Sequence, residues 1–208
     1  RQVKEKYADA TLFTPQKAMR IRWNLNTDTP IPPEEPAGEN PPDGAMIDYY
    51  LPSNVSGDVT LEILNDKKEV IRKYASNDTL YTIPTLNIPL YWIRPQVLLS
   101  NQPGAHRFLW DLRYTPLNVP VEYPMSAIKN NTPPVPTAPW VLPGKYTIRL
   151  TVNNSRIEQP LEIVMDPRVK TSMTDLKRQH DLSMICYNGR KTSMKKFPAL
   201  ERRFSALF

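Results

Sequence analysis

Apolar and polar side chains alternate with period two across the middle of the chain, which restricts it to half-buried strands with one face turned inward. Ala45, Ile47, Tyr49 and Leu51 share a face, with Asp48 opposite. Val59, Leu61 and Ile63 alternate with Thr60 and Glu62, and the polar run Asn65-Asp66-Lys67-Lys68 then turns the chain into residues 69–74, a hairpin signature. His106, Phe108, Trp110 and Leu112 face one way, and Arg107, Asp111 and Arg113 the other. After Pro143-Gly144, Tyr146, Ile148, Leu150 and Val152 alternate with Thr147, Arg149 and Thr151. Asn153-Asn154-Ser155 reverses the chain toward Ile157, Leu161, Ile163 and Met165. Six or seven such strands predict a mainly β fold, an immunoglobulin-like antiparallel β-sandwich.

The rest of the chain is set by proline. Twenty-three prolines against six glycines in 208 residues predict long connections, because proline removes ladder donors and breaks helices. Residues 27–44 (TDTPIPPEEPAGENPPDG) carry almost no apolar side chains and predict a polyproline II or irregular lead-in. Upstream, residues 12–23 (LFTPQKAMRIRW) contain a short apolar segment, read as a strand or a packing clip. Residues 77–103 and 115–143 form two long proline-rich interruptions, and loops of that length usually serve a function or cover a neighbouring surface. The expected division is a lead-in over 1–44, the sandwich over 45–165 and a basic helical tail over 166–208. The chain starts at Arg1 with no signal-peptide pattern, which predicts a processed chain or a piece of a longer one.

The net charge of +6 sits in the tail. From Arg168 onward there are ten Lys or Arg and three acids, so the body, with 17 basic and 18 acidic residues, is nearly neutral. Without a basic stripe on the body, no nucleic-acid partner is expected. No apolar run reaches the length of a membrane span, so none is expected either. In the tail, Ser172 and Asp175 form a variant capping box. Leu176, His180, Ser183 and Tyr187 fall on one stripe, and Leu182, Ile185 and Cys186 on an adjoining one. Pro198 is expected to end or kink the helix. Tail binding to acidic surfaces is one functional reading, with salt-dependent association as its signature.

Catalytic signals are missing. Asp48, Asp111, Glu122 and Glu162 lie in separate strands and loops with no motif, and Asp111 is expected to bond to Arg113 or to loop backbone. His106 and His180 have no spaced metal-ligand partners, and Cys186 is the single thiol. No catalytic, cofactor-binding or metal-ligating residue is expected, and no cofactor. Aromatic side chains supply the remaining candidates. Tyr49, Trp110 and Tyr146 belong to inward faces, which leaves Tyr50, Tyr91, Trp92 and Trp140. Packing in the core or against another domain is the first reading of these four, and stacking on sugar rings the second.

Several strings are distinctive together: residues 40–52 (NPPDGAMIDYYLP), 91–96 (YWIRPQ), 104–114 (GAHRFLWDLRY), 143–152 (PGKYTIRLTV) and 159–169 (QPLEIVMDPRV). In this order they resemble the C-terminal region of bacterial sortilin-like BNR/Asp-box propeller proteins, often labelled glycosyl hydrolases. The Trp110-Asp111 strand followed by the Pro143–Tyr146 strand start also resembles the immunoglobulin-like domain of flagellar-hook-capping proteins. The resemblance covers roughly residues 12–191 and implies a secreted, periplasmic or cell-surface protein. It also implies an N-terminal propeller of the parent chain as partner, while polysaccharide is a second partner that the four aromatics alone suggest. The carbohydrate site of such proteins belongs to the propeller, and no Asp-box string occurs in this chain. A non-catalytic accessory domain is therefore the expected role, and a carbohydrate-binding module the alternative.

Overall fold

The computed structural model describes residues 7–22, 35–36, 38, 42–83, 89–93, 95–117 and 138–205. Among these residues eight strands and one α-helix are formed: β1 (Thr11–Leu12), β2 (Ala18–Arg20), β3 (Ala45–Leu51), β4 (Thr60–Leu64), β5 (Val70–Ala75), β6 (Gly104–Trp110), β7 (Gly144–Val152), β8 (Ser155–Met165) and α1 (Met173–Ser205). The strands make two sheets, ordered β1-β3-β6 and β2-β8-β7-β4-β5.

The period-two pattern places the core. Ile47, Tyr49, Leu51, Phe108 and Trp110 from the small sheet meet Leu61, Ile63, Ile148, Leu150, Leu161 and Ile163 from the large one, all buried. Register follows the pattern: Ile47 lies opposite Phe108, and Ala45 opposite Trp110. In the large sheet Leu61 sits opposite Leu150, which in turn lies opposite Ile157. At the outer face Arg149 bonds Glu158 at 2.7 Å and Glu62 at 3.2 Å, a cross-strand triad on adjacent strands.

The sandwich begins ahead of residue 45. The segment expected as a strand or clip is two short strands, one in each sheet. β1 runs antiparallel to β3, whereas β2 runs parallel to β8, so the purely antiparallel expectation fails at this edge. Leu12 and Ala18 are buried in the core, which fixes both ends of the crossing. Gln159 reaches back from β8 to donate to the Leu12 carbonyl at 3.1 Å. Most of the proline-rich lead-in over 27–44 falls outside the described residues, as do Glu122 and residues 118–137 of the second interruption.

The helix begins as its capping residues require. Ser172 Oγ accepts the Asp175 amide at 3.1 Å and donates to the Asp175 carboxylate at 2.6 Å. Leu176 is buried, His180 Nε2 lies 3.2 Å from the Tyr114 hydroxyl, and Tyr187 donates to the Thr115 carbonyl at 2.7 Å. That stripe docks the first half of α1 on the body. Of the two outcomes expected at Pro198, the helix does not end there but continues to Ser205. A single proline removes one ladder bond, and the remaining turns carry the segment past it. No helix among the described residues is long and apolar enough to cross a membrane.

Candidate functional site

The loop between β5 and β6 is held in place by specific bonds. The Gln96 side-chain amide clasps Tyr81, accepting from its N–H and donating to its carbonyl, each at 2.7 Å. In effect one glutamine supplies the pair of bonds that a strand neighbour would give. The buried Tyr49 hydroxyl donates to the Ser100 carbonyl and accepts the Ser100 amide, both at 2.9 Å. Burial pushes the Tyr49 phenol up to about 12, although the Ser100 bond opposes the shift. His106 lies against the Tyr49 ring, with Nε2 2.6 Å from the Gln102 carbonyl. Ile93 and Leu99 are the loop's buried anchors.

Around these anchors the loop leaves several apolar side chains facing outward. Leu90 is 66% exposed and Tyr91 64%, in a 3₁₀ turn over Leu90–Trp92, and Leu80, Val97 and Leu98 are exposed as well. An ordered loop that presents apolar side chains to solvent loses hydrophobic free energy until something covers them. Trp92 is half-buried, and its ring meets that of Tyr91 edge-to-face at 88°. Perpendicular rings form no continuous two-ring platform, so any stacking there would use one ring alone.

The other two candidates lie elsewhere. Tyr50, on β3, is half-buried and packs on Tyr7, whose ring also meets Phe13 edge-to-face. Trp140 is half-buried under two guanidiniums, Arg113 4.4 Å and Arg20 4.9 Å from its ring centre. Around it, Arg113 pairs with Trp140 in an antiparallel bridge, Arg113 Nη1 donates to the Ala138 carbonyl at 2.6 Å, and Arg20 Nη1 donates to that of Val141 at 3.1 Å. Among the described residues, only Tyr91 and Trp92 of the four candidates touch ring to ring.

The carboxylates are engaged one by one. Asp48 takes a two-pronged bond from Arg107 at 2.7 and 2.8 Å, and Glu162 pairs with Lys17 at 2.9 Å. Asp111 accepts the Arg113 amide at 3.2 Å. Alternation assigns it to the solvent face, but it is half-buried, and Leu112 after it adopts a left-handed backbone (φ 58°). Among the described residues no group of three His, Cys, Asp or Glu side chains is placed to hold a metal ion.

Burial holds the Asp111 carboxyl above its ordinary value, against the pull of the Arg72 and Arg113 guanidiniums and the Arg113 amide bond. Between the unfolded carboxylate pKa of about 3.9 and the raised folded one, the folded chain keeps a proton that the unfolded chain has released. Stability is therefore lost as pH rises through that window. Asp111→Asn keeps an acceptor for the Arg113 amide and removes this dependence. In urea titrations from about pH 4 upward, wild-type stability relative to the variant is expected to fall with pH. A wild type that gains on the variant across the same range would contradict the burial effect.

Two buried groups have no signal in the sequence. Arg20 occupies an inward position on β2 that alternation would give to an apolar residue, and its Nε makes no hydrogen bond among the described residues. Arg72 Nε is likewise buried without one, while its guanidinium lies over the Tyr74 ring at 4.6 Å. Comparison of the chain with protein-family models, with curated proteins and with solved structures finds no match in any of the three.

Proposed function

We propose that the chain is a non-catalytic accessory domain of immunoglobulin-like topology that packs on the propeller of a secreted, sortilin-like, glycosidase-related bacterial protein. The observation that carries the packing role is the pinned loop with Leu90, Tyr91, Val97 and Leu98 turned outward. The topology has its own support. β3 and β6 share one sheet while β4, β7 and β8 share the other, the distribution of the B, E, C, F and G strands in that fold. Near the start of β7, the Tyr146 hydroxyl donates to the Leu142 carbonyl at 2.7 Å, the bond of a tyrosine corner. The core tryptophan lies on β6 instead of the C-like strand, and the single cysteine sits in α1, so the inter-sheet disulfide of antibody domains has no counterpart.

A photo-crosslinking residue at Tyr91 in the intact parent chain is expected to join the propeller, whereas one at Arg156, on the exposed turn side of β8, is not. Equal yields at both positions, or a parent without a propeller, would remove the proposal. The carbohydrate alternative rests on the exposure of Tyr91 alone. It requires retardation of the chain in polysaccharide affinity gels that is lost in Tyr91→Ala.

A further inference from the structure

We propose that the outward face of α1 docks a protein surface of opposite chemistry, a shallow apolar patch ringed by carboxylates. Two residues along a helix turn about 160° around it, so Leu182 lies almost opposite His180 and Ile185 almost opposite Tyr187. His180 and Tyr187 face the body, and Leu182 and Ile185 therefore face away, 58% and 67% exposed. Exposed Cys186 borders them. The two apolar stripes of the helix are thus separate, and only one has a partner among the described residues.

Charge identifies the occupant. Arg178 and Lys196 fall on the same outward line as Leu182 and Ile185 and both are exposed, while Asp175 on that side has its carboxylate held by Ser172. Neither cation pairs with an acid among the described residues. Over its length α1 carries eight Lys or Arg against three acids. A second copy of this chain offers no complement, since its helix repels and its body is nearly neutral. A lipid surface fits poorly too. An interfacial helix keeps its charges opposite its apolar face, whereas here that opposite side is docked on the body and the charges share the apolar line.

Gly189 adds a second, independent observation. It lies on the outward line one turn beyond Ile185, in a helix interior where only proline is less favourable. No atom of the described residues lies within 4 Å of where its Cβ would stand, so nothing among them requires its smallness. A partner backbone approaching closely at that point would. The mode is an i, i+3 anchor pair seated on that shallow patch, with basic residues at the rim.

The test uses two designed helical peptides with the same Leu/Ile stripe, one flanked by Glu and one by Lys, titrated against the 208-residue chain by fluorescence anisotropy. The acidic peptide is expected to bind, and the basic one not to. Leu182→Gln with Ile185→Gln, both neutral and helix-compatible, should weaken binding about tenfold or more, the scale of anchor residues at an interface. Gly189→Leu should weaken it as well while helix content, read by circular dichroism, holds or rises. Equal binding of both peptides would overturn the proposal, as would undiminished binding by the Gln double variant, which would leave charge alone. Retention on phosphatidylglycerol vesicles that depends on Leu182 and Ile185, without acidic-peptide binding, would assign the face to lipid instead.

Discussion

Trp110→Ala is expected to lower the stability of the chain by about 3–5 kcal/mol, read from the midpoint of urea denaturation at unchanged slope. The ring is fully buried between the sheets, meets Tyr146 edge-to-face at 6.0 Å, and donates from Nε1 to the Arg113 carbonyl at 3.0 Å. Truncation therefore opens a cavity and strands a carbonyl at the point where the chain leaves β6. Trp110→Phe separates the two effects, because it keeps most of the volume and loses only the donor, at a cost of about 1–3 kcal/mol. For a domain whose whole stability is about 5–15 kcal/mol, the alanine variant sits near the edge of folding. A loss below that of the phenylalanine variant would mean that Trp110 does not organise the core.

Gly44→Ala should be nearly as severe, for a different reason. Gly44 enters β3 with φ 104°, a backbone region L-residues avoid, and an added Cβ would run into the Trp110 carbonyl oxygen, with the carbonyl carbon only 2.9 Å away. The approach is forced by register, since Ala45 pairs with Trp110. Gly57 supplies the control. It also has a positive φ, 88°, but nothing lies within 4 Å of its Cβ position. Gly57→Ala should cost about 1 kcal/mol, the conformational effect alone. Gly44→Ala should cost at least about 2 kcal/mol more, because two paired strands must separate to admit the methyl. Equal losses at the two glycines would show that the close approach to Trp110 carries no energy.

The legible parts of the fold are those with local periodicity. Alternation places Ile47, Tyr49, Phe108, Trp110, Ile148 and Leu150 inward, and they are buried. The stripe of Leu176, His180 and Tyr187 likewise identifies the docked side of α1. What alternation misses is non-local. The division of the N-terminal segment between two sheets depends on β3 and β8, more than thirty residues away in one case and far more in the other. Arg20 is buried because Trp140 and the Val141 carbonyl receive it from across the chain, which no spacing near Arg20 reveals. The same holds for the candidate site. Tyr91 and Trp92 stand out by residue type, but only the structure separates them from Trp140, already covered by two arginines, and from Tyr50, packed on Tyr7. The Gln96 clasp on Tyr81, which makes the loop a surface instead of a tether, has no motif at all.

Hydrogen–deuterium exchange of the loop over residues 77–103, compared between the intact parent protein and this 208-residue chain, tests the packing role most directly. Anchored but uncovered in the isolated chain, the amides around Leu90, Tyr91 and Leu98 are expected to exchange at least about tenfold more slowly in the parent, where a neighbouring domain shields them. Identical exchange in the two would contradict an interdomain role for this surface.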